Sequence, residues 1–242
     1  MKNYEPVMSF GKDVAAGDPG RLRGDEAETV AFLRDLAGDG PALELAIGTG
    51  RIARPLAAQG VRVDGIDISQ AMVDVLRTQP GGDGIAVTMG DFADVPVPGM
   101  YRLIYIVFNT IHNLLTQDDQ VRCFQNVAAH LADDGAFVVE GGTHASLHLL
   151  DNQYVHAEAI EMNQVWLDVA RYDPVTQLLE ESHVSLAADG VRLYPVVQRI
   201  ASPSEMDLMA RIAGLRLKER WGGWDRRAYT AESRNVVSVY GR

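Results

Sequence analysis

The sequence predicts an α/β protein: a doubly wound, seven-stranded and mostly parallel sheet, with an antiparallel β insert after the fifth strand. Two observations carry that expectation. From about Pro41 to Glu140, apolar runs of strand length alternate with segments of helical periodicity, the pattern of a parallel sheet wrapped by crossover helices. Within it, Leu43-Glu44-Leu45-Ala46-Ile47-Gly48-Thr49-Gly50-Arg51 and then Gly65-Ile66-Asp67-Ile68-Ser69 read as a strand, a glycine turn opening a helix, and a second strand ending in an acid. Glycines at such a turn let backbone N–H groups approach a ligand, and the acid can accept two hydrogen bonds from a ribose diol. A nucleoside cofactor is expected.

The strands of the sheet are expected at Ala42 to Ile47, Val61 to Ile66, Ile85 to Met89, Leu103 to Phe108 and Ala136 to Glu140. Leu103 to Phe108 is apolar on both faces, as a central strand covered on both sides should be. Helix starts are marked by Asp25 with Glu28, Thr116 with Asp119, and Ser204 with Asp207, each a capping side chain followed three residues on by an acid. Gly38, Gly60 and Gly214 fall where helices should stop. Pro55 requires the helix after Gly50 to start late or to bend at its first turn. From about Gln153 the pattern changes to period two: Val165 to Tyr172, Leu178 to Leu186 and Val191 to Ile200, joined by Asp173-Pro174 and Asp189-Gly190, read as a three-stranded insert over residues 153–200. A helix from Ser204 to Ala213 and strands at Leu215 to Trp221 and Val236 to Tyr240 close the chain with a hairpin.

Its 242 residues, 47% of them apolar, suit one domain over residues 1–242, with residues 1–38 as an N-terminal lid and helix. The longest apolar stretch is only a strand's length and Met1 to Pro6 lacks a secretory pattern, so neither a membrane partner nor export is expected. The single cysteine, Cys123, excludes an internal disulfide and agrees with a cytoplasmic address. A net charge of -11 argues against nucleic acid as a partner, because phosphate binding needs clustered cations. A small-molecule acceptor is the better expectation, and an exposed edge of the insert offers a route to a homodimer.

Gly48 to Ala53 also fits the GxGxxA form of the dinucleotide fingerprint, which makes NAD a competitor. Three features favour a cationic amino-acid nucleoside instead. Glu44 lies inside an apolar strand, where a charge is costly unless paired; a ligand's ammonium would pair with it, and a pyrophosphate would be repelled. Asp91 and Phe92 follow the third strand, where an adenine could be hydrogen-bonded and stacked. The closing hairpin is the third feature.

With these residues in place, the sequence resembles the class I S-adenosylmethionine-dependent methyltransferases over nearly its whole length. Glu44 to Gly50 stands as the family's first motif, Asp67 as its ribose acid with Ile68 and Met72 beside it, Asp91 and Phe92 as adenine contacts, and Phe108-Asn109-Thr110 as the loop after the fourth strand. The family usually writes the first motif acid-x-Gly-x-Gly-x-Gly. Here Ala46 replaces the first glycine, a change expected to crowd the strand slightly. The resemblance implies the strand order 3-2-1-4-5-7-6 with the seventh antiparallel, and S-adenosyl-L-methionine as cofactor with S-adenosyl-L-homocysteine as product. Cofactor contacts are then expected from Glu44, Ala46, Gly48, Gly50, Asp67, Ile68, Met72, Asp91, Phe92, Phe108 and Asn109. The insert and the segment Arg220 to Tyr240 look most like actinobacterial small-molecule enzymes, including amino-sugar N-methyltransferases.

Methyl transfer to oxygen or nitrogen, less so to carbon, of a secondary-metabolite intermediate is the expected reaction, with no metal. Such transfer benefits from a group that removes the acceptor's proton. His112, after the central fourth strand, is the first candidate, and His144, after the fifth, is the next. Tyr4, His148 and Trp166 are expected to touch the acceptor. Tyr172, His156 and His183 either roof the same site or pack the insert. His144 and His148 have the spacing of a metal pair on a helix, but no Glu-x-x-His pattern accompanies them. The rival readings are an NAD-dependent oxidoreductase and a cofactor-binding regulatory subunit without chemistry.

Overall fold

A computed structural model describes residues 4–5, 8–17, 23–142 and 151–242. The elements in chain order are α1 (Lys12–Gly17), α2 (Glu26–Ala37), β1 (Ala42–Leu45), α3 (Ala53–Ala58), β2 (Val63–Asp67), α4 (Gln70–Thr78), β3 (Ala86–Met89), β4 (Tyr101–Ile106), α5 (Gln117–His130), β5 (Leu131–Gly142), β6 (Gln153–Ile160), β7 (Gln164–Asp173), β8 (Leu178–Ala187), β9 (Gly190–Arg199), α6 (Pro203–Ile212), β10 (Arg216–Trp221) and β11 (Asn235–Gly241). Seven strands form the main sheet in the order β3-β2-β1-β4-β5-β11-β10, with β11 antiparallel to both of its neighbours. Counted within that sheet, this is the expected 3-2-1-4-5-7-6.

The two faces of the sheet are covered by separate apolar clusters. Leu43, Leu45, Ile104 and Ile106 pack with Phe124, Val127, Met206 and Met209 of α5 and α6 on one side. Ala42, Leu103, Tyr105 and Val138 pack with Val30, Leu33, Leu56 and Trp224 on the other. Trp224 is 5% exposed and meets Phe32 edge-on at 5.4 Å, so it completes this core.

Local chemistry sets the helix boundaries. The Thr116 side chain accepts from Asp119 N and starts α5 as expected. The cap of α6, however, is Ser202 rather than Ser204: its hydroxyl accepts from Glu205 N, and Pro203 takes the first helical position, where a missing N–H costs nothing. Asp25 occupies the cap position of α2 without a side-chain cap bond, because its carboxylate accepts from Arg23 instead. Pro55 falls in the first turn of α3, which starts at Ala53.

The insert has four strands, β6-β7-β8-β9, not three. Gln153–Ile160 is exposed along most of its length, with no buried face, so its side chains give little apolar signal. At its base Arg199, 4% exposed, joins the insert to the main domain through Glu205 (2.6 Å) and Gln120. The amide of Gln120 in turn donates to the carbonyls of Ile111, Leu114 and Arg199.

Candidate active site

A cavity of about 400 Å³ opens at the carboxyl ends of β1, β2 and β4 and is closed on its far side by the insert. That is where open parallel sheets bind ligands. Of the residues expected to contact a cofactor, Glu44, Ala46, Gly48, Asp67, Ile68, Met72, Asp91, Phe92, Phe108 and Asn109 all line it. Gly50 stands behind them. Its φ is +74°, and a Cβ there would meet Leu76 Cδ1 at 2.4 Å, so it makes the turn rather than the wall.

Asp67 is 6% exposed and holds the turn together: one oxygen accepts from Gly48 N and the other from Ser69 N, both at 2.7 Å. Burial nevertheless pushes its carboxyl up from the ordinary range, with those amides opposing the shift. Gly48 has φ +57° and open space where a Cβ would lie, as a backbone meant for close approach by a ligand needs. Ile68, 58% exposed, offers an apolar face at the same mouth.

Glu44 is 2% exposed, and burial pushes its carboxyl from 4.5 up to about 8 against the opposing pull of the Tyr105 hydroxyl, Arg51 and the backbone at Ala53. Tyr105 donates to it at 3.0 Å and is itself pushed well above its usual value by burial and by Glu44. A buried acid facing a cavity in this state is poised to ionise when a cation arrives.

Ala46 corrects its expectation. It lies just past β1 with φ 56°, so the methyl strains the backbone instead of crowding the strand. Phe108 and Asn109 are also left-handed, at φ 57° and 63°. Glu140 holds this turn, accepting from Phe108 N at 2.7 Å and from Arg23 at 2.8 Å. The guanidinium carbons of Arg23 and Arg51 lie 4.6 and 4.0 Å from the centre of the Phe108 ring.

The insert's contribution to the cavity is Glu181, His183, Val196 and Gln198. Asn113 and Leu114, after β4, face the same space, and Gln198 donates to Asn113 at 3.5 Å. Glu181 accepts a hydrogen bond from the Tyr154 hydroxyl, and His183 Nδ1 lies 2.5 Å from Asp168 Oδ1. From the N-terminal segment, Phe10 lines the cavity and its carbonyl accepts from the Ser69 hydroxyl at 2.7 Å.

Other expected acceptor-side residues are placed elsewhere. His112 is fully buried, its Nδ1 accepting from Ala201 N at 3.4 Å, and does not line the cavity. The turn carrying it runs beneath the base of the insert, so the ring packs rather than opens to the site. Tyr4 bonds Ser9, which donates to the Pro195 carbonyl, and neither lines the cavity. Trp166 stacks on Tyr194 at 5.8 Å, away from the lining. His144 and His148 lie outside the described residues.

Thr49, Arg51, Asn113, Glu181 and Gln198 line the cavity without having been expected there, whereas His183, expected either to roof the site or to pack the insert, stands on its wall. Thr49 and Arg51 lie within or next to the glycine turn. Glu181 and Gln198 become visible only through strand register.

A family model described as a methyltransferase domain matches residues 42–135. The solved structure of the CcbJ methyltransferase from Streptomyces caelestis superposes with a TM-score of 0.92 at 35% identity, covering 98% of this chain and 99% of that one. The cypemycin N-terminal methyltransferase of a Streptomyces species is 26% identical over 209 residues, 83% of this chain and 82% of its own length. A dTDP-4-amino-2,3,4,6-tetradeoxy-D-glucose N,N-dimethyltransferase of Saccharopolyspora spinosa is 30% identical over 57% of this chain and 52% of its own. No helix among the described residues is long and apolar enough to cross a membrane. The chain belongs to the class I S-adenosylmethionine-dependent methyltransferases, and this decides the choice of cofactor against NAD.

Proposed function

We propose that the chain methylates an amine nitrogen of a small metabolite. The observation that carries this is Glu181, an acid from the insert facing the acceptor half of the cavity, with Asn113 and Gln198 as neutral polar neighbours. Arg51, in the cofactor half, is the one lysine or arginine among the described lining residues. An acceptor that enters as an ammonium ion finds a complementary charge there, whereas an acidic acceptor would be repelled. The names of two relatives, an N-terminal methyltransferase of cypemycin and an N,N-dimethyltransferase of an amino-deoxysugar nucleotide, support the same acceptor atom and a natural-product substrate.

When bound, the cofactor supplies a sulfonium-activated methyl, whose transfer to nitrogen breaks the carbon–sulfur bond and leaves its electron pair on sulfur. The protein holds and orients. Among the lining residues, Glu44 would pair with the ligand's ammonium group and Asp67 with its ribose, and Ile68, Met72, Asp91 and Phe92 would surround the base. The Phe108-Asn109 turn, fixed by Glu140, separates this half from the acceptor half and sets the line along which the two reactants meet. Phe10 and the insert exclude water from that line. The exposed edge of β6, with Val155 and Ile160 at the surface, supports pairing of two copies, and the single buried Cys123 suits a cytoplasmic enzyme.

An acceptor-library screen scored by S-adenosylhomocysteine release tests the reading. Small basic amines should give turnover with a methyl on nitrogen. Turnover confined to phenols, alcohols or carboxylic acids would overturn it.

A further inference from the structure

An ammonium ion has no electron pair to offer, so an acceptor drawn in by its charge must lose a proton before it reacts. We propose that His183, oriented by Asp168, is the catalytic base that takes this proton; the inference rests on the amine reading above.

The geometry comes from the β7–β8 hairpin. Its register places Asp168 directly opposite His183, with Oδ1 and Nδ1 2.5 Å apart. Asp168 therefore holds the ring with its proton on Nδ1, which leaves Nε2 as the basic nitrogen, and it balances the charge of the imidazolium once the proton is taken. Glu181 and His183 are two positions apart on one strand and share the cavity face, with the electrostatic anchor about 7 Å from the base along the strand. The remaining described histidines do not line the cavity. His112 is buried beneath the insert, His130 bonds Asn126 on α5, and His156 is on the outermost strand β6.

Among the described residues, the titratable groups around His183 include Asp168 from β7, Glu158 and His156 from β6, the latter paired with Asp168, Tyr194 opposite it on β9, and Glu181 on its own strand. In the step, the acceptor's N–H bond breaks with its electron pair staying on nitrogen, the proton passes to Nε2, and the neutral amine is left facing the methyl donor. After transfer His183 returns the proton to solvent. An alkyl amine with a pKa near that of lysine is neutral in only on the order of one molecule in 10³ at pH 7, so nearly all acceptor enters as the ammonium ion and must hand its proton to a group in the site.

The test compares wild type, His183→Asn and Asp168→Asn on an amine substrate found by the library screen. His183→Asn should bind S-adenosylmethionine as wild type does in calorimetry, which also shows that it is folded, and lose roughly 10²- to 10³-fold in kcat/KM at pH 7. Its log kcat/KM should climb by about one per pH unit towards the amine's own pKa, so that the gap to wild type closes in base. Asp168→Asn should lose kcat more than KM, because the ring would hold the wrong tautomer. If His183→Asn does not fold, His183→Gln is read by the same criteria. A wild-type pH profile in the variant, or a loss that is constant across pH, overturns the assignment while leaving N-methylation intact. A product methylated on oxygen would instead sink the amine reading itself. Glu158, Asp168 and His183 place ligand atoms within 4.8 Å of one another, so wild-type activity is also measured in EDTA. Full activity there is expected; loss restored by a divalent cation would make the cluster a metal site and overturn the base.

Discussion

Binding of S-adenosylmethionine should release a proton from Glu44, and that release should be visible as a pH dependence of affinity. In the unliganded protein burial holds this carboxyl at about 8, against 4.5 for a free glutamic acid. At pH 6.5 only about one molecule in thirty then carries the carboxylate that the ligand's ammonium requires. Calorimetric affinity should accordingly rise about tenfold between pH 6 and pH 7, flatten near pH 8, and fall above it as the ligand's own α-amino group, with a pKa of about 8, loses its proton. Glu44→Gln removes the acidic limb and weakens binding at pH 7.5 by roughly 10- to 150-fold, the range for a lost charge-assisted hydrogen bond. The effect on stability has the opposite sign. Because the folded-state pKa lies above the unfolded one, the unliganded protein gains from Glu44 only at low pH and loses stability as pH rises from 4.5 to about 8, with a ceiling of about 5 kcal/mol. The neutral Gln variant, without ligand, should therefore outlast wild type in thermal denaturation at pH 8. An affinity that is flat from pH 6 to 7.5, or the same slope in Glu44→Gln, would refute the pairing of Glu44 with the ligand.

Two further outcomes follow from the turns around the site. Ala46→Gly relieves a left-handed backbone and should raise stability in chemical denaturation by about 1 kcal/mol; a destabilised variant would show that the methyl packs usefully. Glu140→Gln weakens the bond from Phe108 N and breaks the ion pair with Arg23, whose side chain is 30% exposed, so about 1–3 kcal/mol of stability should go, with kcat falling more than cofactor affinity. An unchanged kcat would free the Phe108-Asn109 turn from any positioning role.

The core of the fold was legible because burial on both faces writes Leu103 to Phe108 as an unbroken apolar run, and because Gly48, Gly50 and Asp67 sit where the turn chemistry requires them. Cofactor-side residues lie close in sequence to those turns, and they line the cavity as a group. The exceptions have physical causes. Ala46 looks like a steric substitution until its φ is known, and Gly48 and Gly50 beside it give no hint of strain. Ser202 caps α6 two residues before the expected serine because Pro203 can open the helix. His112 has the right strand end but points beneath the insert, where Ala201 N bonds it. Asp168 and His183 are fifteen residues apart, and only the register of a hairpin makes them neighbours. The acceptor side is assembled across strands in this way, so no local pattern announces it.

The central claim, that an acid-lined acceptor pocket directs the methyl to nitrogen, is tested most directly by transferring an isotope-labelled methyl to an isotope-labelled amine and reading the product by nuclear magnetic resonance. The expected result is a one-bond carbon–nitrogen coupling in the methyl signal, formed in step with S-adenosylhomocysteine. A labelled methyl that appears in the product without that coupling would contradict it.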